Sequence, residues 1–182
     1  HSSDKKQVWR MFDKISSRYD LLNRLLSMRR DVAWRKKMVT FLPDREVNLL
    51  DLATGTGDVL WTIVRNHGKI HTAIGLDMAR EMLMIGARKA RHDKVVMMPG
   101  DAHFLPFKNR TFDVITMAFG IRNMANVPLC LQEIHRIAAS KARIIILEFS
   151  LPDRSVLRTL YLFYFRHILP VIGRVISGDA YA

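Results

Sequence analysis

The sequence predicts a single α/β domain with a mostly parallel, doubly wound sheet. Two observations support this prediction. Apolar runs suited to buried strands alternate with helical segments, and the aspartates that follow three of these runs, Asp51, Asp77 and Asp101, are 26 and 24 residues apart, about one strand–helix–strand repeat. A chain of 182 residues, 49% of them hydrophobic, has enough apolar material for one core.

The individual elements follow from the periodicity of apolar residues. Trp9, Phe12, Ile15 and Tyr19 recur at three- and four-residue steps, which predicts an N-terminal helix, and a second helix is expected at about 32–41. We expect five parallel strands and three intervening helices, with the strands at 47–52, 71–76, 95–99, 112–118 and 142–148 and the helices at 58–66, 79–90 and 128–138.

The predicted domain has three parts. Residues 1–44 form a helical cap on the acceptor side, residues 45–150 form the cofactor-binding core, and the aromatic-rich, amphipathic residues 151–182 form a lid segment. The chain reaches Ala182 without the closing strands that such a sheet usually has, so we expect either a truncated chain or a disordered tail.

The composition excludes several classes of protein. Cys130 is the only cysteine, so no intrachain disulfide can form, and a reducing, cytoplasmic setting is expected. No segment reaches the roughly 20 apolar residues that a membrane-spanning helix requires. Lys5 and Lys6 interrupt any apolar core of a signal peptide. The pattern indicates a globular protein that does not span a membrane.

The histidines do not predict a metal site. His67 and His71 are four residues apart but straddle Gly68, so they do not share a helix face. His103 and His135 are interpreted as loop or helix-surface residues. We therefore expect no bound metal.

The chain is strongly basic. It has a formal net charge of +12, and residues 1–42 contain eleven Lys or Arg against four Asp. This excess fits nucleic acid, an acidic membrane surface or an acidic small molecule as partner, or simply a solvated helix surface.

A glycine turn follows the first predicted strand. Gly55 and Gly57 would allow a tight turn and a close approach to a ligand, as in a dinucleotide fold, a phosphate loop, a methyltransferase or a purely structural turn. The dinucleotide fingerprint has a third glycine where this chain has Leu60, and a phosphate loop has lysine where it has Asp58. The carboxylate of Asp58 would repel a phosphate, which favours a cofactor without one.

S-adenosylmethionine is such a cofactor, and its ammonium, ribose hydroxyls and adenine amine all favour acceptor groups. We expect Asp51 to orient the turn and meet the amino-acid end, Asp77 to accept from the ribose, and Asp101 to accept from the adenine edge, beyond the carboxyl ends of the strands. Any one of these aspartates could be a turn or helix-capping residue, but the three together predict a methyltransferase.

The segment after the fourth strand, Met117-Ala118-Phe119-Gly120-Ile121-Arg122-Asn123, faces the same crevice. It is not the Asn/Asp-Pro-Pro-aromatic signature of many methyltransferases that act on nucleic-acid amino groups, so a nucleic-acid partner is disfavoured. Arg122 and Asn123 could hold an ionised oxygen of the acceptor, whereas Arg122 could also pair with a surface carboxylate.

Four segments resemble the ubiquinone/menaquinone biosynthesis C-methyltransferases, and the resemblance covers nearly the whole chain. They are Tyr19-Asp20-Leu21-Leu22-Asn23 with Leu26, Ser27 and Trp34, then Leu50 to Asp58, Phe119 to Asn123, and Leu147-Glu148-Phe149-Ser150. The resemblance implies a Rossmann-like class I methyltransferase that methylates a ring carbon of a polyprenylated quinol. Demethylmenaquinol is favoured over a polyprenyl-methoxy-benzoquinol. Another small molecule or RNA as acceptor, or a non-catalytic cofactor-binding protein, are the alternatives.

The turn and the resemblance together give the candidate site. The cofactor contacts are Asp51, Thr54, Gly55, Thr56, Gly57, Asp77, Met78, Asp101, Ala102 and Ala118, and the acceptor-side residues are Tyr19, Arg122 and Asn123. The chain departs from the family pattern at Asp31, where histidine is usual, and at 139–142, where Ala-Ser-Lys-Ala replaces Lys-Pro-Gly-Gly. Ala118 also lacks a frequent hydroxyl, and Asp101 replaces a common asparagine.

A polyprenylated acceptor lies in the bilayer, so peripheral contact with the membrane is expected. The basic stretch 29–37 and the aromatic run 160–165 would supply charge attraction and apolar insertion, although the aromatics could instead close over the site. A homodimer is the default expectation for the oligomeric state.

Overall fold

The computed structural model describes residues 30–89 and 92–148. The predicted N-terminal helix with Tyr19 and the predicted lid segment lie outside these residues. The described elements are α1 (Arg30–Val39), β1 (Val47–Leu52), α2 (Asp58–His67), β2 (Ile70–Asp77), α3 (Arg80–Lys89), β3 (Val95–Pro99), β4 (Phe112–Ala118), a 3-10 helix (Ile121–Asn123), α4 (Val127–Ile137) and β5 (Ala138–Leu147).

The strands form one parallel sheet in the order β3-β2-β1-β4-β5. The chain moves outward from β1 to β3 in one direction and then returns to place β4 on the other side of β1. This reversal puts the topological switch point between β1 and β4, where ligands of open α/β sheets bind. The predicted fold class is confirmed.

Apolar layers cover both faces of the sheet because side chains alternate along each strand. On β1, Leu49 packs in a cluster with Leu60 and Ile63 of α2, and Leu50 packs in a second cluster with Ile134 of α4. All of these side chains are at most 1% exposed. The second layer also contains Cys130, whose thiol pKa is raised to about 11 mainly by burial. Cys130 is therefore a residue of the apolar core.

The beginning of β5 differs from the prediction. The strand begins at Ala138 instead of residue 142, directly after α4, and its pairing with β4 jumps from Phe112–Ala138 to Val114–Arg143. The extra residues form an irregular bulge in which Lys141 has a φ of +64°. Residues 139–142 were not predicted as part of the strand because their sequence lacks the alternation of apolar and polar residues that is typical of a regular strand.

Within the described residues, no helix combines the length and the apolarity needed to cross a membrane.

Candidate active site

A cleft of about 530 Å³ opens at the carboxyl edge of the sheet, beside the switch point. Its walls come from the loops after β1, β2, β3 and β4 and from the N-terminus of α4. The lining residues are Ala53, Gly55, Leu76, Asp77, Met78, Met82, Gly100, Asp101, Ala102, His103, Phe104, Ala118, Phe119, Gly120, Asn123, Met124, Ala125, Asn126 and Leu129. Cofactor sites commonly have volumes of this order, ~300–1,000 Å³.

The glycine turn forms one end of the cleft. Gly55 and Gly57 have φ angles of +54° and +75°, in the left-handed region that favours glycine. A Cβ atom on Gly57 would also lie 3.0 Å from Nε1 of Trp61. Gly57 then caps the beginning of α2, so the strand turns into the helix within a few residues.

Asp51 stabilises this turn through hydrogen bonds. Its carboxylate is 1% exposed and accepts hydrogen bonds from the hydroxyls of Thr54 and Thr116, both at 2.6 Å. Burial raises the pKa of Asp51 to about 6 and outweighs the opposing effect of the two hydroxyl donors. The residue therefore links the turn to β4 and borders the site with a carboxylate that is readily protonated.

Asp77 holds the turn from the neighbouring strand. Its Oδ2 atom accepts from the backbone N–H of Gly55 at 2.8 Å, and its Oδ1 atom accepts from the N–H of Ala79 at 2.9 Å. The two bonds set the carboxylate at the cleft wall, next to Met78. An ordered acceptor at this point suits the hydroxyls of a ribose.

Asp101 lies at the other end of the cleft, after β3. Its Oδ1 atom accepts from the backbone N–H of His103 at 2.9 Å and lies 2.5 Å from the ring Nδ1 of the same residue. Ala102 is 5% exposed and forms part of the apolar wall beside it. His103 is a loop residue, as predicted, and its side chain is only 11% exposed.

A smaller recess of about 50 Å³ adjoins the cleft at the turn. Its lining residues are Arg35, Asp51, Ala53, Thr54, Gly55, Thr56, Asp58, Val59, Ala118 and Phe119. Arg35 donates from Nη1 to Oδ2 of Asp58 at 2.6 Å and also pairs with Asp31. Lys89 reaches the same aspartate at 2.5 Å and the hydroxyl of Thr56 at 2.7 Å. These charges tie α1 and α3 to the turn.

The ion pairs explain one departure from the family pattern. Asp31 is 2% exposed, and its charge is matched by Arg35 one helical turn later. Because a buried charge requires a partner, the aspartate at this position is a structural anchor of α1.

Of the residues predicted to meet the acceptor, Asn123 lines the cleft, whereas Arg122 is not among the lining residues. Both residues lie on the 3-10 helix after β4. The Nη1 atom of Arg122 is 3.5 Å from Oε1 of Glu148, and its side chain is half exposed. The guanidinium is therefore paired with a carboxylate at the end of β5, on the same edge of the sheet as the cleft. Trp34 of α1 packs beside this segment, with its ring centroid 6.4 Å from that of Phe119.

Nine of the ten candidate cofactor residues line the cleft or the recess, and Gly57 shapes the turn without lining either. Tyr19 lies outside the described residues. In 30–89 and 92–148, no three His, Cys, Asp or Glu side chains are grouped so that they could hold a metal ion.

Sequence reasoning missed three residues that shape the site. Arg35 looked like part of a solvated basic stretch, and His103 lacked a motif. Gly86 of α3 packs so closely behind the turn that a Cβ atom would lie 2.9 Å from the carbonyl of Thr56. The only local signal for Gly86 was a glycine inside a helix, which often marks a close approach.

The chemistry of the cleft fits S-adenosylmethionine. Among its described lining residues the charged ones are Asp77 and Asp101, and none is a lysine or arginine. Carboxylates between apolar walls suit a nucleoside with hydroxyl and amine donors and do not suit a phosphate. The fold and the site thus define a class I methyltransferase.

The comparison with known sequences gives the family. The family model described as the ubiE/COQ5 methyltransferase family matches residues 1–182. The chain belongs to this family, and it is an S-adenosylmethionine-dependent methyltransferase.

Curated relatives agree with this assignment. A demethylmenaquinone methyltransferase from Thermotoga maritima is 41% identical over 182 residues, covering 98% of this chain and 77% of the relative. A ubiquinone/menaquinone biosynthesis C-methyltransferase from Geotalea uraniireducens is 39% identical over 177 residues, covering 94% of this chain and 75% of the relative.

Solved structures show the same fold at lower sequence identity. A SAM-dependent methyltransferase from Aquifex aeolicus has a TM-score of 0.58 and 23% identity, with 66% of each chain covered. The [4+2]-cyclase SpnF has a TM-score of 0.69 and 18% identity, covering 82% of this chain and 62% of SpnF. A cyclase on the same fold shows that the fold alone does not define the reaction.

Proposed function

We propose that this protein transfers a methyl group from S-adenosylmethionine to a ring carbon of a polyprenylated quinol, with demethylmenaquinol as the favoured acceptor. The observation that carries the proposal is one cleft with two carboxylates, Asp77 and Asp101, on its cofactor side and the Phe119–Asn123 segment on the other. Membership in the ubiE/COQ5 family supports a quinol acceptor, because relatives such as the one from Thermotoga maritima are named demethylmenaquinone methyltransferases.

The candidate residues are assigned to different parts of the cofactor. Asp51, Thr54 and Thr56 border the recess that would receive the amino-acid end, and the backbone at Gly55 and Gly57 permits close approach there. Asp77 and Met78 would hold the ribose, and Asp101 and Ala102 the adenine. Ala118 borders both spaces, so it would lie between the two ends of the bound cofactor. Bound cofactor supplies an electrophilic methyl group on a sulfonium.

The acceptor requires a different contribution from the protein. A quinol ring carbon becomes nucleophilic when the neighbouring hydroxyl is ionised, so a fixed positive charge near that oxygen lowers the barrier. Arg122 would supply this charge, since arginine stays protonated and is therefore a poor general base. Asn123 and Tyr19 would position the ring, and Glu148 would orient the guanidinium from 3.5 Å.

Replacing Arg122 tests this role. We expect Arg122→Ala to lower kcat for methyl transfer to a demethylmenaquinol by roughly 100-fold or more, which is the usual effect of removing one electrostatic contact to a developing oxyanion. The affinity for S-adenosylhomocysteine, measured by calorimetry, should stay unchanged because Arg122 is absent from the cofactor side. The assay needs reduced acceptor dispersed in detergent or vesicles.

Arg65, which is exposed on α2, offers a matched control. Arg65→Ala removes an equal charge away from the cleft and should leave turnover intact. Turnover of Arg122→Ala equal to that of the control would reject the electrostatic role. Wild-type protein that methylates a simple phenol or RNA but not a demethylquinol would reject the quinol acceptor itself.

The same proposal includes the location and the assembly of the protein. A lipid acceptor requires access to the bilayer, and α1 presents Arg30, Lys36 and Lys37 on its exposed side, where they would meet anionic headgroups. We therefore propose a cytoplasmic enzyme with peripheral membrane contact. The proposal includes no resident metal, and nucleic acid is disfavoured as the substrate. A homodimer remains the simplest proposal for its assembly.

A further inference from the structure

His103 connects two walls of the cleft. Its ring Nδ1 is 2.5 Å from Oδ1 of Asp101, in the loop after β3, and its Nε2 is 3.2 Å from the backbone N of Asn126, at the beginning of α4. The side chain is 11% exposed and lines the cleft. A single imidazole thus bridges the strand-end carboxylate and the helix across the opening.

The two neighbours set the tautomer of this imidazole. The backbone N–H of Asn126 can only donate, so Nε2 must accept, and the ring proton is then on Nδ1, facing the carboxylate. Asn126 is itself fixed, because its side chain caps α4 by accepting from the N–H of Leu129 at 3.1 Å. The position of the ring is therefore set from both sides.

Within the described part of the chain, the hydrogen bonds to the Asp101 carboxylate all involve one of its two oxygen atoms. Both contacts from His103 fall on Oδ1, one from the backbone N–H and one from the ring. Among the described residues, no side chain or backbone group donates to Oδ2. The Asp101 side chain is 36% exposed and lines the cleft, and Oδ2 is the oxygen that His103 leaves available to a ligand.

We propose that His103 is a positioning residue for the cofactor: it turns the carboxylate of Asp101 so that Oδ2 accepts from the exocyclic amine of adenine. The inference rests on the proposed function, in which Asp101 meets the adenine edge. A residue that only stabilised the loop would contribute equally to the binding affinity of every ligand of the cleft. A positioning residue contributes selectively to ligands that carry the amine.

Two ligands separate these roles. S-adenosylhomocysteine carries the amine, and S-inosylhomocysteine has a carbonyl oxygen in its place. We expect His103→Ala to raise the Kd for S-adenosylhomocysteine by about fivefold to tenfold, the effect of loosening one hydrogen bond to a charged group. The Kd for S-inosylhomocysteine should change by less than about twofold, since that ligand has no amine to donate.

Conservative variants sharpen the test. The amide of asparagine lies close to the position of Nδ1, whereas that of glutamine lies close to Nε2. We expect His103→Asn to recover most of the affinity for S-adenosylhomocysteine and His103→Gln to recover little. His135→Ala is the matched control, because His135 is exposed on α4 and should affect neither ligand.

Calorimetry of the full chain gives distinguishable outcomes. The positioning role would be overturned if His103→Ala lost the same affinity for both ligands. It would also be overturned if the Asn and Gln variants bound S-adenosylhomocysteine equally well. Either result would leave the methyltransferase assignment intact. If the wild-type protein binds both ligands equally, the contact between Asp101 and adenine fails, and the inference fails with it. Wild-type protein that binds neither would contradict the proposed function.

Discussion

At the scale of single residues, Asp51 is the clearest case of a site group whose properties depend on its surroundings. Hydrogen bonds from Thr54 and Thr116 favour its ionised form, but burial disfavours it more strongly and raises the pKa to about 6. Nearby Asp77 adds a smaller repulsion in the same direction. The recess beside the turn is therefore bordered by a carboxylate whose pKa in the folded protein is about 6.

This pKa predicts how stability depends on pH. In the unfolded chain the carboxyl group ionises near 3.8, so the folded state binds the proton more tightly and its stability falls as pH rises through about 6. We compare the free energy of unfolding of the wild-type protein with that of Asp51→Asn at each pH. Between pH 4 and pH 7 the wild-type value should fall by about 2 kcal/mol more than the value of the variant. Urea unfolding at both pH values measures this difference.

Asp93→Asn is the control for this measurement, because Asp93 is exposed in the loop before β3. It should follow the wild-type pH profile. A carbon-13 titration of the Asp51 carboxyl in the wild-type protein tests the same pKa without any substitution. A midpoint near 4 would contradict the prediction.

At the scale of elements, β5 shows where an irregular strand stores strain. The pairing jump between Phe112 and Val114 leaves Lys141 at a φ of +64°, a conformation that costs an L-residue roughly 1–2 kcal/mol. Its side chain is exposed, so no packing offsets this cost. Glycine, the residue usual at this point in the family pattern, would adopt the same backbone without steric conflict.

Lys141→Gly should therefore stabilise the fold. We expect the free energy of unfolding to rise by about 0.5–1 kcal/mol, after subtracting the greater entropy of glycine in the unfolded chain. Lys141→Ala removes the same long side chain but keeps the Cβ atom, and it should bring no comparable gain. Guanidinium unfolding of the three proteins gives the comparison, and an equal result for glycine and alanine would disprove the strain.

The helix α1 contacts the rest of the protein through both apolar packing and ion pairs. Met38 packs in the core against α2, while the charges of Asp31 and Arg35 are buried toward Asp58. Apolar packing supplies stability, and the ion pairs set the orientation of the helix on the turn. The recess beside the turn exists because α1 docks in this one way.

At the scale of the whole molecule, the net charge of +12 is unevenly distributed. Buried Arg35 contributes to internal pairing, whereas Arg30, Lys36 and Lys37 point outward from α1. A basic surface on α1 favours attraction to an anionic bilayer, in which the proposed lipid substrate would be dissolved.

Vesicle flotation tests this attraction. We expect the protein to float with vesicles that contain anionic lipid and to remain unbound with neutral vesicles or in high salt, because each basic residue contributes ~1 kcal/mol near an anionic surface. The double variant Lys36→Gln, Lys37→Gln should bind less. Arg65→Gln, Arg88→Gln removes the same net charge from α2 and α3, and equal loss in both variants would show that only net charge matters.

Much of the fold and of the candidate site could be predicted because the signals are local. The spacing of Asp51, Asp77 and Asp101 and the glycines between strand and helix predicted a parallel α/β sheet, which the structure confirms, and a cofactor at its carboxyl edge, which stays a prediction. Strand and helix periods repeat every two to four residues, so a short stretch of sequence reveals them. The quinol acceptor came from resemblance and not from these patterns.

The tertiary structure alone decided which side chains meet. Asp51 contacts Thr116, Arg35 contacts Asp58, and His103 reaches Asn126, over separations of 65, 23 and 23 residues. Such pairs leave no periodic trace in the sequence, because they depend on strand order and helix docking. The sequence by itself determined the class of cofactor and, apart from the beginning of β5, the described strands of the sheet, whereas packing decided the protonation of Asp51, the pairing of Arg122 and the orientation of Asp101.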